Sequence, residues 1–133
     1  MTATIKRLDH VNVRTANLDA MTEWYGRVLG MHPGKRPDFG VPGVWLYGGG
    51  DPIVHLIGVE AQPGSDPKDL QLEHFALSAT GLKALLARLD ADGQKHWFRP
   101  VPEVGVVQVN ISDPDGNHIH VDFDIAEAEG IDI

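Results

Sequence analysis

The sequence predicts an α+β domain made of two copies of one module, each running strand, helix and about three further strands. Three observations carry that prediction. An alternating segment is followed by a helical stripe of apolar residues twice, first ahead of Gly30 and again ahead of Gly93. Laying Leu8-Asp9-His10-Val11 over Leu72-Glu73-His74-Phe75 aligns two histidines, and also sets Leu18 over Leu82, Met21 over Leu85 and Tyr25 over Leu89. His55 and His120 then each lie in the strand that follows an Asp-Pro turn, late in their own half. The 133 residues therefore read as one domain, residues 1–133, with a module over 4–60, a linker over 61–69 and a second module over 70–125.

In the first module, Ile5 to Val13 reads as a strand, with Val11 and Val13 on one face and Leu8, His10 and Asn12 on the other. From Asn17 as N-cap, Leu18, Met21, Tyr25, Val28 and Leu29 recur at helical spacing until Gly30 and Pro33 stop the pattern. Met31 to Gly43, rich in Pro and Gly, leaves room for a short irregular strand. Val44 to Tyr47 and Ile53 to Val59 are strands separated by the turn-forming Gly48-Gly49-Gly50-Asp51-Pro52. His55 shares a face with Ile53 and Ile57, and Trp45 with Tyr47.

Glu60 to Asp69 carries Pro63, Gly64, Ser65 and Pro67 without periodicity, as a linker does. Leu70 to Ser78 is the next strand, with Leu72, His74 and Ala76 on one face. Leu82, Leu85, Leu86 and Leu89 form a helical stripe ended by Asp92-Gly93. Val107, Val109 and Ile111 alternate with Gln108 and Asn110. The turn Asp113-Pro114-Asp115-Gly116-Asn117 then leads into a strand with Ile119, Val121 and Phe123 on one face and His118, His120 and Asp122 on the other. Helices covering the face of Val11, Val13, Phe75, Leu77, Val121 and Phe123 would leave the opposite face as a cleft, toward which the four repeated histidines project.

Composition narrows the function. Eleven Lys and Arg against nineteen Asp and Glu give a net charge of -8, which opposes phosphate neutralisation and argues against nucleic acid or anionic membrane as a partner. The absence of cysteine removes disulfides, zinc-thiolate sites and thiol catalysis. No basic segment leads into an apolar core at the N-terminus, and no apolar run approaches the ~20 residues that span a bilayer, so a cytoplasmic location is the expectation.

Leu8-Asp9-His10-Val11, Trp24-Tyr25 through Val28-Leu29-Gly30, Val54-His55-Leu56, Glu73-His74-Phe75-Ala76-Leu77 and Asp113-Pro114-Asp115-Gly116-Asn117 match, in order and spacing, one known pattern. Over roughly Ile5 to Phe123 the chain resembles the vicinal oxygen chelate superfamily, which includes glyoxalase I, methylmalonyl-CoA epimerase, extradiol dioxygenases, fosfomycin-resistance enzymes and metal-free bleomycin-resistance proteins. The resemblance implies two βαβββ modules forming an incomplete barrel with a central cleft around a divalent metal, often completed by dimerisation, and hence a homodimer. It also implies that His10 and His74 stand at the ligand positions of the first strand of each module. His120 stands where many members carry a metal-binding glutamate, and His55 at the remaining ligand position of glyoxalase-like members. The chain has histidine at both places where glyoxalases have glutamate.

Four imidazoles suit Zn, Fe, Ni, Cu, Co or Mn better than Mg or Ca. They leave the ion's positive charge uncompensated, so such a centre favours a small-molecule substrate that chelates through anionic oxygens. The expected function is isomerisation, epimerisation or lyase chemistry with charge developing on oxygen, with His120 as base or ligand. The alternatives are a ring-cleaving extradiol dioxygenase and a non-enzymatic binding or resistance protein. Trp45, Tyr47, Gln108 and Asn110 are the expected substrate-lining residues, by strand parity. His32, His96 and His118 are read as surface or satisfied histidines, Trp24 and Tyr25 as helix packing, and Glu127 to Ile133 as a solvated end.

Overall fold

A computed structural model describes residues 2–64 and 69–133. Two four-stranded mixed sheets and two helices make up the fold, and neither sheet closes into a barrel. The chain divides into two compact units, Met1–Gly26 with Gly30–Pro63 and Arg27–Leu29 with Gly64–Ile133. Part of the expected linker, Ser65, Asp66, Pro67 and Lys68, lies outside the described residues.

The first sheet contains β1 (Val11–Thr15), β2 (His32–Pro33), β3 (Gly43–Gly48) and β4 (Asp51–Gly58) in the order β1-β4-β3-β2. β1 runs parallel to β4, and the other pairs are antiparallel. The helix α1 (Leu18–Leu29) follows β1 and ends at Gly30. Met21, Trp24, Tyr25 and Val28 are buried along one stripe of α1, at the helical spacing read from the sequence. Leu46, Val54 and Leu56 are buried on the central strands.

The second sheet repeats this plan. It contains β5 (His74–Ser78), β6 (Trp97–Val101), β7 (Val106–Ser112) and β8 (His118–Asp124) in the order β5-β8-β7-β6, with β5 parallel to β8. The helix α2 (Leu82–Asp92) buries Leu82, Leu85 and Leu89 and ends at Gly93. Val107, Val109 and Ile111 of β7 and Ile119, Val121 and Phe123 of β8 are buried, so the apolar face predicted for both strands is the core face.

Three expectations shift. The first strand starts at Val11 rather than Ile5 and runs on to Thr15, because its parallel pairing begins at Val11 with Val54. Just beyond that pair lies Pro52, which has no N–H to give a ladder, and Ile5 and Leu8 are left exposed. Likewise the strand expected over Leu70 to Ser78 starts at His74, since its partner β8 itself starts at His118 and leaves Leu72 nothing to pair with. The tail is also more structured than a solvated end. Residues Ile125–Ala128 form a 3-10 turn, and the Glu127 carboxylate accepts from the backbone N–H of Gly81 and Leu82 at 2.9 and 3.0 Å, capping α2.

Candidate functional site

Each sheet brings two of the repeated histidines together by the same construction. In the first, His55 on β4 pairs with Asn12 of β1, and His10 lies two residues ahead of that partner, just before the strand begins. In the second, His120 on β8 pairs with Ala76 of β5, and His74 lies two residues ahead of that partner. Side chains two residues apart on a strand share a face, so both pairs meet diagonally. The His10 and His55 rings stack with centroids 3.8 Å apart, and the His74 and His120 rings lie 4.6 Å apart. On the far side, Trp45 of β3 pairs with His55 and Asn110 of β7 with His120, so these two expected lining residues occupy matching places. Trp45 stacks on His55 at 4.2 Å and makes the first site a column of three rings.

Hydrogen bonds fix how each ring presents itself. His10 donates from Nδ1 to Asp9 at 2.7 Å, and His120 donates from Nδ1 to Asp122 at 2.5 Å. His74 donates from Nδ1 to Glu73. His55 donates from Nε2 to the Pro52 carbonyl at 2.9 Å. A carbonyl or carboxylate oxygen can only accept, so in each of the four rings the other nitrogen keeps its lone pair free of these bonds. His55 and His120 are each only 7% exposed, whereas His10 and His74 are open to solvent. Burial, which favours the neutral ring, pulls the His55 pKa below the ordinary 6.5 against the opposing effect of the Pro52 bond, which favours the protonated one. The hydrogen bond from His10 lowers the Asp9 pKa, and the bonds from His74 and His118 lower that of Glu73.

The second sheet adds two residues that the sequence reading did not assign, Glu73 and Trp97, around His118, which was read as a surface or satisfied histidine. Glu73 bridges His74 and His118, accepting from His118 Nδ1 at 2.7 Å. His118 Nε2 contacts Asn110 Oδ1 at 2.8 Å, and the Asn110 side chain is buried with its Nδ2 unpartnered among the described residues. One ligand-type atom from each of Glu73, His74 and His118 lies within 4.8 Å of the others. The exposed Trp97 stacks loosely against His118. The sequence held one signal for His118, its shared strand face with His120. What it could not give is the parallel register that sets His118 directly beside His74.

The remaining expected lining residues are less central. Tyr47 donates its hydroxyl to the Lys35 carbonyl at 2.6 Å, and a bulge between Leu46 and Tyr47 shifts it out of step with Trp45. Gln108 pairs across the ladder with Asp122, which itself holds His120.

Comparison with known proteins gives one consistent result. A family model described as the Glyoxalase/Bleomycin resistance protein/Dioxygenase superfamily matches residues 7–121. A curated relative, Glyoxylase I 4 of Arabidopsis thaliana, is 29% identical over 123 residues, covering 86% of this chain and 68% of the relative. Among solved structures, a glyoxylase/bleomycin resistance protein/dioxygenase domain from Frankia sp. EAN1pec is similar in fold, with a TM-score of 0.75 at 18% identity over 91% of this chain and 93% of that one. A structure named lactoylglutathione lyase from Agrobacterium tumefaciens has a TM-score of 0.67 at 18% identity, covering 91% of this chain and 96% of that one.

Proposed function

From the premise that the chain belongs to the Glyoxalase/Bleomycin resistance protein/Dioxygenase superfamily, we propose that it is a metal-dependent enzyme of lyase, isomerase or epimerase type. In this reading a proton leaves a carbon beside a carbonyl and negative charge develops on the oxygen. His10, His55, His74 and His120 are the proposed metal-ligating residues. The observation that supports them is the tautomer pattern: each donates from one ring nitrogen to an oxygen and keeps the other nitrogen for a ligand bond. An all-imidazole set fits Zn, Fe, Ni, Co or Mn, and not a hard oxygen-seeking cation. A bound divalent metal supplies a Lewis acid for the developing oxyanion.

The chain's own residues supply the rest. Asp122, 2.5 Å from His120 Nδ1, orients that imidazole and leaves its Nε2 as the nitrogen with a free lone pair, so His120 is the proposed proton acceptor when it is not engaged as a ligand. Trp45 and Asn110, at matching places across from His55 and His120, are the proposed substrate-contacting residues. The substrate class is a small oxygen chelator, anionic in the reacting form.

The test is solvent deuterium incorporation, followed by proton NMR, at the carbon beside the carbonyl across a panel of 2-hydroxy and 2-keto compounds. Exchange that needs metal and His120, and takes place without oxygen, is the expected result. A specific observation favours a second reading. Glu73, His74 and His118 form a two-histidine, one-carboxylate group, the ligand type of oxygen-activating iron sites. That reading predicts metal-dependent oxygen consumption and metal loss in Glu73→Gln, whereas the first predicts that Glu73→Gln retains its metal.

A further inference from the structure

Arg36 is a cation with no counter-charge among the described residues. Although the chain carries a net charge of -8, Arg36 has no carboxylate within salt-bridge distance among the described residues. Both its Nη atoms lean on one acceptor, the Val41 carbonyl, at 3.3 Å each, long for a charged donor. Its Nε is sealed from solvent and has no hydrogen-bond partner among the described residues. A partly buried guanidinium so poorly satisfied is costly unless an anion completes it.

The surroundings make room for it. Gly43 occupies the β3 position that corresponds to Gln108 in the second sheet, since Gly43 pairs with Ile57 as Gln108 pairs with Asp122. A Cβ on Gly43 would fall 2.6 Å from both Arg36 Nη2 and the Leu56 carbonyl oxygen, so the guanidinium packs directly against the backbone at this position. The Asp38 carboxylate accepts from Gly40 N–H at 2.8 Å and folds the loop back, which brings the Phe39 ring over the guanidinium at 5.0 Å. Phe39 is 57% exposed, far more than an aromatic ring needs to be, and its centroid lies 6.1 Å from that of Trp45. An aromatic shelf thus runs from Arg36 through Phe39 and Trp45 to His55 and His10.

We propose that Arg36, Phe39 and Trp45 form a subsite for the carboxylate end of a planar aromatic acid. The carboxylate takes the open Nη side of Arg36, the ring lies against Phe39 and Trp45, and the oxygens at the far end point along the shelf toward His55. This rests on, and narrows, the oxygen-chelator reading above. Uncharged chelators lack the group that Arg36 would bind.

Three probes separate the two claims by isothermal titration of the full chain. 3,4-Dihydroxybenzoate and catechol share the oxygen pair and differ in the carboxylate; benzoate has the carboxylate without the oxygen pair. The native chain should bind 3,4-dihydroxybenzoate roughly tenfold tighter than catechol, the worth of a charge-assisted contact. Arg36→Gln should abolish that difference while leaving catechol affinity unchanged, and should also remove benzoate binding from chelator-treated protein. Phe39→Ala alters an exposed ring, keeps the fold, and should weaken benzoate as well. Equal affinity of the native chain for all three probes overturns the subsite, as does unchanged benzoate binding in either variant. The metal reading fails separately, if catechol binds metal-loaded and chelator-treated protein alike.

Discussion

At the scale of single residues, the proposed metal ligation depends on which nitrogen of each imidazole carries its proton. Asp9, Pro52, Glu73 and Asp122 settle this for His10, His55, His74 and His120 in turn. For His55 the folded pKa is depressed below 6.5. Between the folded value and 6.5 the unfolded chain therefore binds more protons than the folded one, and stability rises with pH across that window. The contribution is complete above 6.5 and is lost as the pH falls below it. Chelator-treated protein should accordingly melt at lower temperature at pH ~5.5 than at pH ~7.5, and His55→Phe should flatten part of that slope. A slope unaltered by the substitution would remove His55 as its source. Asp113, only 4% exposed, is a second residue of consequence, because its carboxylate accepts from the Asp115 and Asn117 backbone N–H groups and from Asn117 Nδ2. Asp113→Ala should cost about 2 kcal/mol in urea denaturation, by leaving those donors unpaired. A loss under a few tenths would mean that water replaces the carboxylate at no cost.

At the scale of elements, what the sequence made legible follows the range of the interactions. The stripes of α1 and α2 and the turn before β8 are local patterns, and all lie where the spacing puts them. In the turn, Gly116 at φ 87 takes a conformation that a side chain would strain, which is why Asp-Gly marks it. The starts of β1 and β5 were not legible, since alternation continues upstream while the parallel partner strands do not. His118, read as a surface or satisfied histidine, is a satisfied one, but its contacts with Glu73 and His74 depend on a register between strands about 45 residues apart. Glu127 is a further non-local case, capping α2 from 45 and 46 positions away. Removing that cap in Glu127→Ala should cost about 1 kcal/mol of stability, with the loss of helix signal confined to the first turn of α2 in amide exchange. Protection unchanged at Gly81 and Leu82 would show that the cap is dispensable.

At the scale of the whole molecule, duplication is the organising fact. Two sheets of the same strand order each place a histidine before or at the start of the first strand diagonally from one on its parallel neighbour. The repeat aligns four histidines and, directly ahead of two of them, Asp9 and Glu73, which accept from His10 and His74 in the same way, while the partners of the other two, Pro52 and Asp122, differ between the copies. Trp45 faces His55 where Asn110 faces His120, and Glu73 bridges two histidines in the second sheet only. The duplicated core should tolerate loss of a ligand better than loss of its apolar residues: Leu89→Ala, at a fully buried position, should cost about 2–5 kcal/mol. His120→Ala should cost less than that in the metal-free state. The central claim is that the repeated histidines hold a transition metal, and elemental analysis of protein purified without an affinity tag tests it most directly. The account predicts bound transition metal, a melting temperature that falls on chelation, and loss of metal in both His74→Ala and His120→Ala. Native protein that holds no metal after incubation with zinc or iron, and melts alike with and without chelator, would contradict it and leave a binding protein in its place.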